Sequence, residues 1–147
     1  MSERHPIIAI TGSSGAGTTS VTRTFDNIFR REGVRAAVIE GDSFHRYDRK
    51  EMKLKQAEAE RAGNKNFSHF GPENNLFAEL EQLFRSYGET GSGKRRKYLH
   101  DPEEAAPYKQ DPGTFTPWED VPADTDLLFY EGLHGAVLTP EVNIARH

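Results

Sequence analysis

Cysteine is absent from the 147 residues, which excludes disulfides, thiolate metal sites and cysteine nucleophiles. No apolar run approaches the roughly 18 residues of a membrane-crossing helix. The longest N-terminal apolar run, Ile7 to Ile10, is too short for the core of a signal peptide and follows Pro6. A cytoplasmic location with no membrane partner is therefore expected. Neither sign of charge dominates: 19 Lys plus Arg stand against 23 Asp plus Glu, and the net charge of −4 argues against a general nucleic-acid binder. The apolar share is 35% and the mean hydropathy −0.77, so the chain is polar. Nine Phe, five Tyr and one Trp are nevertheless enough to seed packing, and disorder throughout is not expected. The length allows one domain.

Pro6-Ile7-Ile8-Ala9-Ile10 reads as a short buried strand that runs into a glycine loop. From Thr18 to Glu32 the pattern is helical, with Val21, Phe25, Ile28 and Phe29 on one face. Gly33 stands where a left-handed residue closes a helix. Arg35 to Ile39 is a second strand and Asp126 to Tyr130 a third, ending at Glu131-Gly132. A strand–loop–helix–strand unit of this kind predicts parallel strands. Arg49 to Ala62 reads as a charged surface helix and Glu73 to Tyr87 as an amphipathic one carrying Leu76, Phe77, Leu80, Leu83 and Phe84. Gly88 to Pro122 holds most of the turn formers and reads as a hairpin followed by irregular loop. Three firm strands are few for a parallel α/β sheet, and the segment near Arg146-His147 reads as the start of something further. The expectation is the N-terminal portion of a longer fold.

Gly12-Ser13-Ser14-Gly15-Ala16-Gly17-Thr18-Thr19 follows a strand and opens a helix, the setting a phosphate-binding loop requires. Its glycines let successive N–H groups turn inward on an anion, and the helix N-terminus adds about half a positive charge. Thr19 occupies the hydroxyl position suited to Mg²⁺. An ordinary Gly/Ser turn before a helix is the plainer reading. Thr18 stands where lysine is usual, so another cation would have to neutralise the phosphates. Gly88-Glu89-Thr90-Gly91-Ser92-Gly93-Lys94 has similar spacing, but Arg95 replaces the hydroxyl residue and no strand precedes it. It reads as a flexible basic hairpin tip.

In open parallel sheets, ligands gather beyond the carboxyl ends of the strands. Asp42, in Gly41-Asp42-Ser43-Phe44-His45, and Glu131 both fall there. Asp42 could accept a hydroxyl proton during attack on a γ-phosphate, or merely cap a turn. Glu131 could direct Mg²⁺, or be a strand-end charge. His45, Arg49 and Lys53 recur at every fourth position, so on a helix they would share a face suited to an anionic co-substrate, or to solvent. Lys94-Arg95-Arg96-Lys97 could clamp a phosphate or be a solvated loop. His69, His100 and His134 show no metal-ligand spacing. Trp118 and the Phe residues read as core.

With these residues in view, the sequence resembles the bacterial (class I) phosphoribulokinase family. The likeness runs through HPIIAITGSSGAGTTS at 5–20, FDNIFRREGV at 25–34 and IEGDSFHRYDR at 39–49. It continues through FSHFGPENN at 67–75, YGETGSGKRRKYLHD at 87–101 and LLFYEGLHGAV at 127–137. The family's own loop also lacks the usual lysine. The resemblance implies an α/β fold, a P-loop NTPase-like three-layer sandwich with a mostly parallel sheet, residues 1–147 forming the N-terminal part of one kinase domain. It implies ATP- and Mg²⁺-dependent phosphorylation of D-ribulose 5-phosphate to ribulose 1,5-bisphosphate in the Calvin cycle. ATP would be bound by Gly12, Ser13, Ser14, Gly15, Ala16, Gly17, Thr18, Thr19 and Ser20. Asp42 would be the base, and Thr19 and Glu131 would serve the metal. His45, Arg49, Lys53 and His100 would hold the sugar phosphate, and Arg31 would belong to effector control by NADH and AMP. Relatives assemble as homo-oligomers, typically octamers. They also continue for about as much chain again, with a further Asp, arginines and a lid.

Two alternatives stand beside this. One is another P-loop small-molecule kinase, acting on uridine or pantothenate. The other is a nucleotide-binding module without catalysis, suggested by the missing loop lysine and the short chain.

Overall fold

A computed structural model describes residues 2–13 and 15–147. The elements in chain order are β1 (Ile7–Thr11), α1 (Thr18–Glu32), β2 (Ala36–Glu40), α2 (Arg49–Arg61), α3 (Phe77–Thr90), β3 (Lys94–Arg95), α4 (Pro102–Ala105), β4 (Glu119–Asp120) and β5 (Leu127–Gly132). Strand β5 lies between β1 and β2, parallel to both. Covered on both faces, it is apolar from Leu127 to Tyr130, and Leu128, Phe129 and Tyr130 are all buried.

Helix α1 covers one face of this sheet. Phe25 and Phe29 each place their rings 5.4 Å from that of Phe129. Helix α3 covers the other, where Leu80, Leu83, Phe84 and Tyr87 are buried and Phe84 meets Tyr130 edge-on at 5.6 Å. Burying each such side chain contributes about 1.5–3 kcal/mol. The result is the expected three-layer α/β sandwich with a parallel sheet.

Helix α1 spans the residues its pattern predicts, and Gly33 closes it at φ 68°. Val21 and Ile28, expected on one face with Phe25 and Phe29, remain partly exposed, as does Val38; the three strands are too narrow to cover that whole side. Strands β1 and β2 begin one residue later than expected. Arg35 does not join β2 because its N–H donates to the Asp126 carboxylate (2.7 Å), while the Asp126 N–H donates to the Arg35 carbonyl (2.7 Å).

Helix α3 starts four residues after the expected Glu73. Residues 72–74 form a separate 3-10 turn, because the Asn74 and Asn75 side-chain amides are spent on the carbonyls of Ser68, His69 and Gly71. At its far end α3 continues through Gly88 to Thr90 and is closed by Gly91 at φ 74°. The expected flexible tip at Gly88–Lys94 is thus a helix end leading into β3. Strand β3 pairs antiparallel with β4, enclosing residues 96–118. Trp118, expected in the core, is 41% exposed. Among the described residues no helix is long and apolar enough to cross a membrane.

Candidate functional site

The carboxyl ends of β1, β2 and β5 open on a cavity of about 550 Å³. Gly12, Ser13, Gly15, Thr18 and Thr19 form one wall, and Asp42, His100 and Glu131 lie on the others. The glycine loop, both strand-end carboxylates and a histidine far along the chain therefore converge on one space.

The loop is shaped by its backbone. Gly17, at φ 85°, is the N-cap of α1, a left-handed conformation costly for other residues, and it offers no side chain to the first-turn amides. The first turn carries no acid, so the positive end of the helix is left for an anion. The Ala16 N–H donates to the Ser13 carbonyl (3.0 Å), and the Ser20 N–H to that of Gly17 (3.1 Å). Ser14 falls outside the described residues.

Two strand ends come together because Gly41 lies against Gly132: a Cβ on Gly41 would sit 2.6 Å from the Tyr130 hydroxyl and 2.9 Å from the Gly132 Cα. This packing carries the chain out of β2 into a 3-10 turn, Gly41–Phe44, that presents Asp42 to the cavity. The same turn buries Phe44 and Ser43, whose hydroxyl donates to the Glu40 carbonyl (2.7 Å). Burial pushes the Tyr130 hydroxyl up to about 12, and it accepts the His134 N–H (3.2 Å).

Two imidazoles hold Asp42. His45 Nε2 lies 3.5 Å from Oδ1 and His100 Nε2 lies 3.1 Å from Oδ2. Hydrogen bonding to His45, and then to His100, outweighs partial burial and lowers the Asp42 carboxyl to about 2. His45 is oriented in turn by Asn75, whose Oδ1 is 2.9 Å from Nδ1. The Asn75 amide nitrogen is already donating to His69 and Gly71, so its oxygen faces His45 and accepts from Nδ1. His100 Nδ1 is 3.0 Å from the Glu104 carboxylate, which also accepts the His100 N–H (2.9 Å). Burial lowers the His100 pKa, but the hydrogen bonds to Asp42 and Glu104 prevail and raise it above the ordinary imidazole value. Glu40, another cavity residue, is pushed up by desolvation and partly relieved by His100.

The remaining candidates are placed less uniformly. His45 does not share a helix face with Arg49 and Lys53. Asp48 caps α2 through a reciprocal arrangement with Glu51, so the helix begins at Arg49 and His45 lies before it, at the end of the 3-10 turn. Arg49 donates to the His100 carbonyl (2.8 Å) and supports that residue from behind. Lys53 is exposed on α2. Arg31, in the last turn of α1, pairs with the neighbouring Glu32 (3.0 Å) and does not line the cavity. Sequence reasoning missed Glu40 and Phe70, which line the cavity, and Asn75 and Glu104, which contact the two imidazoles. Glu104 had a weak signal, standing four residues beyond His100.

Thr19 and Glu131 supply hard oxygen donors to the same cavity, which suits Mg²⁺ held by few protein ligands and by phosphate oxygens. Among the described residues no group of three or more His, Asp or Glu forms a ready-made metal cage.

Comparison with known proteins narrows the reading. Over all 147 residues the chain is 78% identical to a Cupriavidus necator protein named "Phosphoribulokinase, chromosomal" and 65% identical to a Nitrobacter vulgaris "Phosphoribulokinase", covering 50% and 51% of their lengths. It superposes on the solved structure of phosphoribulokinase from Rhodobacter spheroides with a TM-score of 0.87 at 52% identity, covering 99% of this chain and 49% of that one. The chain thus spans about half the length of the curated relatives it matches. Residues 7–147 match the profile of the Phosphoribulokinase / Uridine kinase family, and the chain belongs to that family.

Proposed function

We propose that the polypeptide containing this chain is a cytoplasmic phosphoribulokinase, transferring the γ-phosphoryl group of ATP to D-ribulose 5-phosphate in the Calvin cycle, and that residues 1–147 contribute the phosphate-loop part of one kinase domain. The observation that carries this is the shared cavity: the glycine loop, Asp42 and Glu131 all line it. The identities of 78% and 65% to proteins named phosphoribulokinase point the same way.

In this reading the Gly12–Ser20 loop holds the triphosphate through backbone N–H groups and the positive end of α1. Asp42 accepts the proton of the attacking substrate hydroxyl as its oxygen bonds to the γ-phosphorus and the bond to the β–γ bridging oxygen breaks. A carboxylate lowered to about 2 stays ionised at neutral pH but is a weak base. Its contribution is mainly to orient the hydroxyl and accept the proton late, which suits a loose phosphoryl-transfer transition state. Thr19 and Glu131 would hold Mg²⁺, which when bound would supply positive charge to neutralise the phosphate oxygens. His100, with its raised pKa, brings positive character beside Asp42, favouring a phosphorylated sugar over a neutral nucleoside. Arg49 and Lys53 would extend this strip towards the sugar phosphate. Exposed Arg31, outside the cavity, would serve effector response to NADH and AMP, in a homo-oligomer.

The test is direct: the full-length polypeptide is supplied with ATP, Mg²⁺ and either ribulose 5-phosphate or uridine. Formation of ribulose 1,5-bisphosphate supports the reading. Preference for uridine, or nucleotide binding with no transfer, overturns it.

A further inference from the structure

The run Lys94-Arg95-Arg96-Lys97 divides its work. Lys94 pairs with Asp120 (2.6 Å) and Arg95 with Glu119 (3.4 Å) across the β3–β4 ribbon. Arg96 pairs with no carboxylate among the described residues. Its Nε donates to the Ser43 carbonyl (2.8 Å) and an Nη to that of His45 (2.7 Å). Its guanidinium carbon lies 3.7 Å from the centre of the Phe115 ring and 4.6 Å from that of Trp118. Trp118 in turn meets Phe44 edge-on at 5.6 Å.

These contacts address one object. Ser43, Phe44 and His45 directly follow Asp42, and the carbonyls at the end of so short a turn lack partners within it. A planar fork satisfies two of them at a fixed spacing, and the aromatic faces fix the plane of the fork. The Phe44 carbonyl is taken by the Leu76 N–H (2.7 Å), so all three carbonyls after Asp42 are held from outside the turn.

We infer that Arg96 is a positioning residue for the Asp42 turn, setting the direction of the Asp42 carboxylate and the His45 ring through the Ser43 and His45 carbonyls. Its catalytic consequence rests on the proposed role of Asp42; the hold on the turn does not. Burial draws the Arg96 pKa down to about 10, which leaves it charged at neutral pH. A lysine keeps the charge but supplies neither the fork nor the stacking plane.

The test compares Arg96→Lys, Arg96→Ala and the neighbouring control Lys94→Ala in the full-length polypeptide. In Arg96→Lys, amide hydrogen exchange over residues 42–46 rises at least tenfold while exchange in β1, β5 and α1 is unchanged. The kcat falls at least tenfold with the dissociation constant for ATP within twofold, and added ethylguanidinium restores part of the kcat of Arg96→Ala but none of that of Asp42→Ala. Lys94→Ala matches the unmutated protein. Unchanged exchange over residues 42–46, uniform acceleration everywhere, or full kcat in Arg96→Lys overturns the inference. If the unmutated polypeptide phosphorylates no sugar phosphate, the kinase reading fails, while the exchange comparison still decides whether Arg96 holds the turn. Should Arg96→Ala fail to fold, Arg96→Lys and Trp118→Phe carry the same comparison.

Discussion

His100 stands between two carboxylates, its Nε2 3.1 Å from Asp42 and its Nδ1 3.0 Å from Glu104. Ionised carboxylates only accept hydrogen bonds, so both contacts are satisfied together when both ring nitrogens carry hydrogen. This geometry and the raised pKa of His100 agree on an imidazolium beside Asp42.

The pH dependence follows with a definite sign. A group whose folded pKa is raised contributes fully below its unfolded value, near 6.5, and loses that contribution as pH rises through the folded value. The KM for ribulose 5-phosphate is expected to rise by about tenfold across that upper interval as one charge-assisted contact is lost, with the KM for ATP unmoved. In Glu104→Gln the His100 resonance titrates at lower pH in an NMR experiment, and the KM rise moves with it. A His100 titration at or below 6.5 in the unmutated protein would refute this.

Replacement of Asp42 by asparagine keeps the side chain's shape and removes its basicity. We expect kcat to fall roughly 10²–10⁴-fold, with ATP binding by calorimetry retained. Equal activity in the variant would remove Asp42 from the chemistry. Turnover absent from both proteins would favour a nucleotide-binding module.

Asp42 also gives stability an acid dependence. Its folded pKa of about 2 lies below the ordinary 3.8, so its stabilising contribution is present above pH 3.8 and is lost as pH falls towards 2. Denaturant unfolding between pH 2 and 5 is expected to show a shallower acid slope in Asp42→Asn than in the unmutated protein; parallel slopes would contradict it.

Gly41→Ala places a methyl group 2.6 Å from the Tyr130 hydroxyl, on a ring that is fully buried. Overpacking of this kind costs about 1–3 kcal/mol. Tyr130→Phe in the same chain should recover only part of the loss, since the Gly132 backbone also lies 2.9 Å from the added carbon. Chemical denaturation of the two single variants and the double variant measures the coupling. An undiminished Gly41→Ala stability would show that the strand ends can part freely.

Much of this architecture was readable from the chain. Helix α1 was legible to the residue because Gly17 and Gly33 bracket its periodicity. The strands were found but displaced by a residue or two, since a buried apolar run carries no periodic signal at its ends. The late start of α3 was hidden in the amides of Asn74 and Asn75, whose partners lie in the preceding loop. The break between His45 and Arg49 was visible, as Asp48 and Glu51 form a capping box, but the fourfold spacing of basic residues obscured it. The convergence of the loop, Asp42 and Glu131 on one cavity was legible because each follows a strand. The grip of Arg96 was not: its acceptors lie about fifty residues earlier, and nothing local distinguishes it from Arg95.

The short β3–β4 ribbon has a mechanical consequence. It ties the two ends of residues 96–118 together, and that segment is stitched internally by Leu99 to Thr114, Gly113 to Leu99 and Thr116 to Lys97. Arg96 and His100 therefore sit on one clasped segment, so a substitution that loosens the ribbon would disturb the turn's anchor and the imidazole beside Asp42 together.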